Sequence, residues 1–209
     1  MSEVHVLDHP LISDKLTRMR RASTNAKDFR HLLREISLLM GFEVTRNLAT
    51  KPATVETPIC MGTFPVLKDD FITIAPILRA GLGMVDGLLD LMPTAHVGHI
   101  GLYRDEVTHE PVEYYYKMPD GVENSTIIVA DPMLATGGSA ADAIDCLKDH
   151  GCWNIRLMNL VAAPEGVKRV QERHPDIDIY VAAIDECLNK DAYIVPGLGD
   201  AGDRIFGTA

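Results

Sequence analysis

Residues 125–140 read STIIVADPMLATGGSA, and this stretch decides the fold. Thr126–Ala130 is a short, apolar, β-branched run of the kind that forms a buried parallel strand. The run ends at a single acid, Asp131, and a small-residue segment then leads into a helical pattern that begins at Ala140. A strand, a glycine-containing loop and a helix N-terminus together direct backbone N–H groups at an anion. The stretch therefore predicts a phosphate site.

Two common kinds of phosphate loop do not fit this stretch. A Walker loop needs a lysine after its last glycine, and here Ser139 follows Gly138. The dinucleotide fingerprint needs three glycines at fixed spacing, which Gly137 and Gly138 do not supply. A later G-x-G-x-x-G at 197–202 has only seven residues behind it, too few for a βαβ unit. The predicted ligand therefore belongs to another class.

Composition excludes several classes of function. The 209 residues are 46% hydrophobic and 24% charged, which is enough for one domain, 1–209, around one good-sized core. The formal net charge of −10 disfavours nucleic acid and anionic membranes as partners, because both attract clustered Lys and Arg. No apolar run approaches the roughly 20 residues that cross a bilayer. The N-terminus does not resemble a signal peptide, so we expect a cytoplasmic protein.

The four cysteines support the same expectation. Cys60, Cys146, Cys152 and Cys187 form no C-x-x-C pair. They are predicted to be buried free thiols in a reducing compartment, and a protein metal site is not expected.

Alternating strand and helix patterns predict an α/β fold. The predicted strands cover 71–75, 96–103, 126–130, 154–163 and 177–184, and the predicted helices cover 84–91, 164–174 and the segment from 140 onward. Short links between them favour a mostly parallel central sheet flanked by helices. Residues 1–50 form an N-terminal arm and an amphipathic helix at 25–48, which we expect to lie outside this core and either to cover it or to join subunits. Residues 50–68 are predicted to be a loop or edge hairpin.

Two arginines follow predicted strands. Arg79 and Arg104 each come where a strand ends, at the carboxyl edge where α/β sheets bind ligands. Beside a phosphate loop, Arg79 is a candidate pyrophosphate contact, and Arg104 takes the same position after the next strand. Residues 104–121 then have the length of a hairpin lid, which would exclude water from a reactive intermediate.

The C-terminal segment, 190–209, is predicted to bind a base. Gly197–Gly202 combines three glycines with one apolar neighbour and one acid. Exposed backbone N–H and C=O groups can pair with the edge of a small planar amide such as a nucleobase, and a mismatched base would leave buried groups unpaired.

Several segments together resemble the uracil phosphoribosyltransferase family, a branch of the type I phosphoribosyltransferases. The likeness runs nearly end to end, in the family's order. Pro132 stands where most type I phosphoribosyltransferases carry a second acid, and this family has proline there. The matching segments are HPLI at 9–12, PILRAGLGM at 76–84, DPMLATGGS at 131–139, AAPEG at 162–166 and YIVPGLGDAGDRIFGT at 193–208.

The resemblance implies that uracil and phosphoribosyl pyrophosphate (PRPP) react to give UMP and diphosphate, in pyrimidine salvage. It implies Mg²⁺ as cofactor, held mainly by PRPP and water, together with a homo-oligomer (dimer or tetramer) and GTP as a candidate activator. Asp200, Arg79 and Arg104 are then the catalytic candidates. The implied uracil-binding residues are Ile194, Gly199, Asp200 and Ala201. The implied PRPP-binding residues are Arg79, Arg104, Asp131, Pro132, Met133, Leu134, Ala135, Thr136, Gly137, Gly138, Ser139 and Asp200.

Two alternatives stay open at this point. The first is a phosphoribosyltransferase for another base. The second is a regulator of the same fold that senses PRPP or a nucleotide and acts on RNA or transcription. A regulator of that kind needs a basic face, and Arg18–Arg21 is the one basic cluster in the sequence.

Overall fold

The computed structural model describes residues 2–69, 71–104 and 111–208, and for residues 102–104 and 111 it describes the backbone alone. In chain order the elements are β1 (Val4–Val6), α1 (Pro10–Arg20), α2 (Ala26–Val44), β2 (Thr50–Glu56), β3 (Met61–Leu67), β4 (Ile72–Pro76), α3 (Leu82–Leu91), β5 (His96–Val97), β6 (His99–Arg104), β7 (Pro111–Lys117), a 3₁₀ turn (Val122–Asn124), β8 (Thr126–Leu134), α4 (Gly138–Asp149), β9 (Ile155–Ala162), α5 (Pro164–Arg173), β10 (Asp178–Ile184), β11 (Cys187–Leu188), β12 (Ile194–Val195) and α6 (Ala201–Phe206).

Six parallel strands form the central sheet, in the order β1-β10-β9-β8-β4-β5. The predicted fold class, a parallel α/β sheet flanked by helices, is confirmed. From β4 the chain moves outward to β5, whereas from β8 it moves the opposite way to β9 and β10. The order therefore reverses between β4 and β8. Open α/β sheets bind ligands beyond the carboxyl ends of the strands at such a reversal.

Two apolar clusters cover the two faces of the sheet. On one face, α1, α2, α3 and α6 pack on the strands through residues such as Phe29 and Leu88. On the other face, α4 and α5 pack through residues such as Ile144 and Val170. β8 contributes side chains to both clusters, because its side chains alternate between the two faces of the sheet. Within the described ranges, no helix has the length and apolar character needed to cross a membrane.

The N-terminal arm contributes a strand to the central sheet, which corrects the expectation that it lies outside, whereas α2 covers the sheet as one of the two predicted arrangements. β1 pairs in parallel with β10 and forms one edge of the sheet. α1 was not predicted, and α2 covers the sheet with Phe29 fully buried. Asn25 caps α2, because its side-chain oxygen accepts the N–H of Asp28. A three-residue strand is too short for its side-chain period to identify it from sequence.

Three antiparallel strand pairs lie outside the central sheet in the described residues: two longer hairpins and the short pair of β11 and β12. β2 and β3 form the first, as predicted for residues 50–68. The predicted strand 96–103 divides after β5, because β6 leaves the central sheet and pairs with β7. This second hairpin confirms that a hairpin follows β5, although it begins at His99 rather than at Arg104, and its role as a lid stays a prediction. Its connection, 105–110, lies outside the described residues.

The strand and cysteine predictions need two further corrections. β8 runs through Asp131 to Leu134 and does not end at the acid. Cys60 and Cys187 are exposed, so the prediction of burial holds only for Cys146 and Cys152. All four thiols are free.

Gly87 allows α3 to approach α2 closely, because it has no side chain. A Cβ atom at Gly87 would lie 2.2 Å from the carbonyl oxygen of Arg34 on α2. We therefore expect Gly87→Ala to lower the free energy of unfolding by about 2 kcal/mol, although alanine favours a helix, because the backbone of α2 must move.

The matched control for this prediction is Gly83→Ala on the same helix. A Cβ atom there would meet the flexible side-chain ends of Leu33, at 2.6 Å, and Ile205, at 3.0 Å. Denaturant unfolding should show a smaller loss for Gly83→Ala than for Gly87→Ala. An equal or larger loss for Gly83→Ala would contradict the backbone argument.

Candidate active site

The phosphate loop lies between β8 and α4, at the carboxyl edge of the sheet. Gly137 has φ +75°, a conformation that favours glycine, and a Cβ atom there would lie 2.6 Å from the carbonyl oxygen of Gly166. A Cβ atom at Gly166 would in turn lie 2.5 Å from the carbonyl oxygen of Ala135. The loop therefore packs backbone to backbone on the first turn of α5. This contact explains why segments 131–139 and 162–166 both carry glycine.

The ligand-facing side of the loop carries hydroxyl groups. Thr136 and Ser139 are exposed, whereas Gly137 and Gly138 between them are buried. Behind the loop begins α4, whose first-turn N–H groups have no partner within the helix. These N–H groups and the helix dipole favour an anion. The predicted phosphate site therefore has the donors that it needs.

Residues 131–134 alternate between the site and the interior. Asp131 and Met133 are partly exposed and line a cleft at the strand end. Pro132 and Leu134 are buried, so these two predicted PRPP-binding residues can offer a ligand only their backbone. Ala135 lines the same cleft. The alternation arises because successive side chains of a β-strand point to opposite faces of the sheet.

Asp131 has an unusual protonation equilibrium. Loss of hydration raises the pKa of its carboxyl group to about 7, while the N–H of Met133 has a smaller, lowering effect. Its backbone is fixed by Asn159 on β9, whose side-chain N–H₂ donates to the Asp131 carbonyl oxygen at 2.8 Å. Asn159 is fully buried and sits opposite Asp131 in the strand register. Sequence reasoning missed Asn159, because a polar residue inside an apolar run carries no motif.

The C-terminal segment contains a short helix that was not predicted. Asp200 caps α6, since its carboxylate accepts the N–H of Asp203 at 2.8 Å. Gly199 and Asp200 are exposed, whereas Ala201 and Ile194 are buried. The Val195–Pro196 and Leu78–Arg79 peptide bonds are cis.

A single cleft brings the two predicted ligand segments together. It has a volume of about 240 Å³, slightly smaller than the pockets that hold drug-sized ligands. Of the predicted uracil-binding residues, Ile194, Gly199, Asp200 and Ala201 all line it. Sequence reasoning missed Ala80, Ala192 and Tyr193. The complete lining is Ala80, Asp131, Met133, Ala135, Ala192, Tyr193, Ile194, Gly199, Asp200 and Ala201.

The structure describes the side chain of Arg79 but not that of Arg104. Arg79 follows β4, and its side chain is 66% exposed. Its guanidinium lies 3.9 Å from a carboxylate oxygen of Asp203 and 6.0 Å from the ring centre of Phe206. It is therefore a cation beside the cleft that remains open to solvent. Arg104 ends β6, and its side chain lies outside the described part of the chain.

Comparisons with known proteins identify the family. A family model described as uracil phosphoribosyltransferase matches residues 6–208. The chain belongs to the uracil phosphoribosyltransferase family. A curated uracil phosphoribosyltransferase of Alkaliphilus oremlandii is 61% identical over 208 residues, covering 100% of both chains. The predicted family resemblance is confirmed.

Solved structures agree with the fold. A protein from Aquifex aeolicus superposes with a TM-score of 0.91 at 36% identity, covering 99% of each chain. An adenine phosphoribosyltransferase from Trypanosoma brucei superposes with a TM-score of 0.59 at 11% identity, covering 96% of this chain and 89% of its own. At that identity the likeness concerns the fold alone. The roles of individual site residues stay predictions.

Arg20 holds the C-terminal segment of this uracil phosphoribosyltransferase family member against α1. Its guanidinium donates to both carboxylate oxygens of Asp185, each at 2.7 Å, and to the carbonyl oxygen of Gly197, also at 2.7 Å. Asp185 also accepts the N–H of Gly197, at 2.8 Å. The carboxylate is 7% exposed, so the pair is well shielded from solvent. Sequence reasoning missed both residues, because they lie 165 positions apart.

A neighbouring arginine supports the same segment. Arg204 donates to the carbonyl oxygens of Leu198 and Arg21, each at 2.7 Å, and its guanidinium lies 4.5 Å from the ring centre of Phe29. Arg20 and Arg204 thus fix the loop before Asp200 and connect it to the end of α1.

Arg20→Lys should therefore weaken the base side of the cleft. Lysine cannot reproduce the two parallel hydrogen bonds to Asp185 or reach Gly197 at the same time. Hydrogen bonds to charged groups contribute about 1.5–3 kcal/mol, which corresponds to a rise in KM for the base of roughly 10- to 100-fold. Steady-state kinetics should show a much smaller change in KM for PRPP.

The control variant is Arg18→Lys, on the same helix. Arg18 is 60% exposed and pairs with Asp14 one helical turn away. This exposed pair contributes little, so both KM values should stay unchanged. Equal losses for the two substrates in Arg20→Lys would contradict the positioning role.

Proposed function

We propose that this chain transfers the phosphoribosyl group of PRPP to uracil, giving UMP and diphosphate in UMP salvage. The observation that carries the proposal is the cleft, in which a phosphate loop faces a glycine-rich segment, in a chain of this family. The phosphate loop suits the sugar phosphate of PRPP, and the glycine-rich segment suits a nucleobase. The reaction needs both substrates in one cleft.

The proposed PRPP side is the loop at 131–139. The 5-phosphate would be held by the loop N–H groups and by the Thr136 and Ser139 hydroxyls, as described for anions at a helix N-terminus. Asp131 would accept hydrogen bonds from the ribose hydroxyls. Holding the sugar in one orientation can by itself remove several kcal/mol of barrier.

The proposed uracil side is the C-terminal segment. Ile194 and Ala201 offer buried apolar surface to the ring, and the exposed backbone at Gly199 offers groups for its polar edge. Such recognition rejects bases whose donors and acceptors are placed differently, because a mismatch leaves polar groups unpaired. Asp200 lines the cleft next to these residues and is the proposed contact between base and sugar.

The bond that breaks joins the anomeric carbon of ribose to the diphosphate oxygen. Its cleavage builds positive charge on the sugar, as in glycosyl transfer generally, and negative charge on the leaving group. Arg79, exposed beside the cleft, would stabilise the departing negative charge, and Arg104 is proposed to do the same. The hairpin of β6 and β7 would act as the lid that excludes water.

The donor set fits Mg²⁺ bound chiefly by the substrate. Two carboxylates, Asp131 and Asp200, line the cleft, and Pro132 supplies no further oxygen ligand from its side chain. Mg²⁺ is typically bound through one or two carboxylates together with phosphate oxygens and water. When bound, it would neutralise charge on the diphosphate.

A homo-oligomer is supported by the first hairpin. β2 and β3 form a separate two-stranded sheet with large apolar side chains in solvent, and Ile59, in the turn between the two strands, is 91% exposed. Exposed apolar surface of this kind marks protein contacts.

A reducing, cytoplasmic location is supported by the four free thiols. Activation by GTP, which the resemblance implies, stays a prediction.

The decisive experiment measures diphosphate release from PRPP and Mg²⁺ with uracil, cytosine, hypoxanthine, adenine and orotate in parallel. We expect release with uracil alone. Release with another base would retain the PRPP loop and reject the assignment of the C-terminal segment. PRPP binding without release for any base would favour a regulator instead.

The Asp131 carboxyl group predicts how PRPP use depends on pH. The group is a better hydrogen-bond acceptor when ionised, and in the free protein its pKa lies at about 7. The ratio kcat/KM for PRPP should therefore fall as pH decreases through 7. Steady-state profiles should show this inflection, which is lost in Asp131→Asn.

The same variant controls for titration of the substrate, because the 5-phosphate of PRPP also titrates near pH 6. Asp131→Asn retains only that change, and the difference between the two profiles reports Asp131. Stability should change as well. Between pH 4 and 7 the folded protein keeps a proton that the unfolded chain releases, so the group lowers stability as pH rises through this range. Superimposable pH profiles of kcat/KM for PRPP in wild type and Asp131→Asn would contradict the role assigned to Asp131.

A further inference from the structure

Three potential metal ligands meet where the second hairpin packs on α4, away from the PRPP loop. They are Glu113 on β7, Cys146 in the last turn of α4 and His150, which caps that helix. One ligand atom from each lies within 4.8 Å of the others. Among the described residues this is the one such cluster. None of the three belongs to the proposed active site.

The donor types select the class of cation. A thiolate, an imidazole and a carboxylate are the ligands of Zn²⁺ and similar borderline-soft divalent ions. Mg²⁺ and Ca²⁺ prefer oxygen alone. Three protein ligands leave a fourth position of a tetrahedral ion for water. Glu113 and His150 are exposed, so an ion can reach Cys146 from solvent.

The histidine ring is held in place and keeps one nitrogen free. Its Nδ1 lies 2.8 Å from the carbonyl oxygen of Cys146, so Nδ1–H donates and Nε2 keeps its lone pair. Metal-binding histidines typically donate their other ring N–H to a carbonyl or carboxylate in this way. The Tyr116 ring stacks on the imidazole with centroids 3.8 Å apart and planes at 10°, which fixes the ring.

The thiol and the carboxylate already interact. The Cys146 thiol donates to Glu113 at 3.0 Å. A bound cation must displace the thiol proton to solvent, as Zn²⁺ does when it binds a thiol.

We propose that Glu113, Cys146 and His150 form a binding site for Zn²⁺ or a similar divalent transition-metal ion, which joins β7 of the second hairpin to the C-terminal end of α4. The site is separate from the Mg²⁺ proposed to accompany PRPP. It links the hairpin to the helix whose other end begins at the phosphate loop.

Co²⁺ tests the site directly, because a thiolate bound to Co²⁺ gives a charge-transfer band. The background protein carries Cys60→Ser and Cys187→Ser, which remove the two exposed thiols, and is kept reduced. We expect one equivalent of Co²⁺ to produce the band and Zn²⁺ to displace it. Cys146→Ser should abolish the band. His150→Gln and Glu113→Gln should each weaken binding about tenfold or more.

His96→Gln is the matched control, because His96 is an exposed histidine at another part of the fold. It should bind Co²⁺ as the background does. Zn²⁺ should also raise Tm of the background protein and not of His150→Gln, since only a folded site binds. Thermal unfolding without metal shows that each variant is folded.

Three results would overturn the proposal. They are absence of a thiolate band in the folded background protein, a band that persists in Cys146→Ser, and unchanged affinity in both His150→Gln and Glu113→Gln. Any of these would leave the three residues as a thiol–carboxylate hydrogen bond beside a stacked histidine.

Discussion

The approach of the phosphate loop to the first turn of α5 is the constraint on which the site depends. With Cβ positions at Gly137 and Gly166 only 2.5–2.6 Å from facing carbonyl oxygens, the two backbones leave no room for a side chain. The loop is thus supported from behind by main chain. Its hydroxyl and N–H groups are directed outward without needing a long side chain to hold them. A loop fixed in this way is preorganised for an anion, which lowers the entropic cost of binding.

A second constraint comes from the order of strands. Because the chain reverses direction between β4 and β8, the segments that follow these strands meet at one edge. Arg79 comes from the first and the phosphate loop from the second. The C-terminal segment completes the edge, and it is held by Arg20 and Arg204 through carbonyl oxygens and one buried carboxylate. Sheet topology therefore positions the phosphate loop, whereas ion pairs and hydrogen bonds between distant parts of the chain position the C-terminal segment.

Much of this arrangement follows from sequence, for identifiable reasons. Long apolar runs such as Thr126–Ala130 predict buried strands, and glycine with hydroxyl residues before a helix predicts an anion loop. The same local logic failed for β1 and α6, which are short, for α1, and for Asp131, where the strand continues past its first charged residue. The Arg20–Asp185 pair and the support from Asn159 depend on long-range packing. Neither has a local pattern from which it could be inferred.

The N-terminal strand has a consequence for how the protein is made. β1 pairs with β10, so residues Val4–Val6 find their partners at Ile179–Val181 only after β10 has been synthesised. Domains otherwise tend to fold from the N-terminus during translation. Here the first strand cannot take its place in the sheet before β10 has been made. The last helix, α6, supplies one wall of the cleft and leaves the ribosome still later. The complete cleft would thus form only after α6 has been made, and a chain without that helix would lack one of its walls.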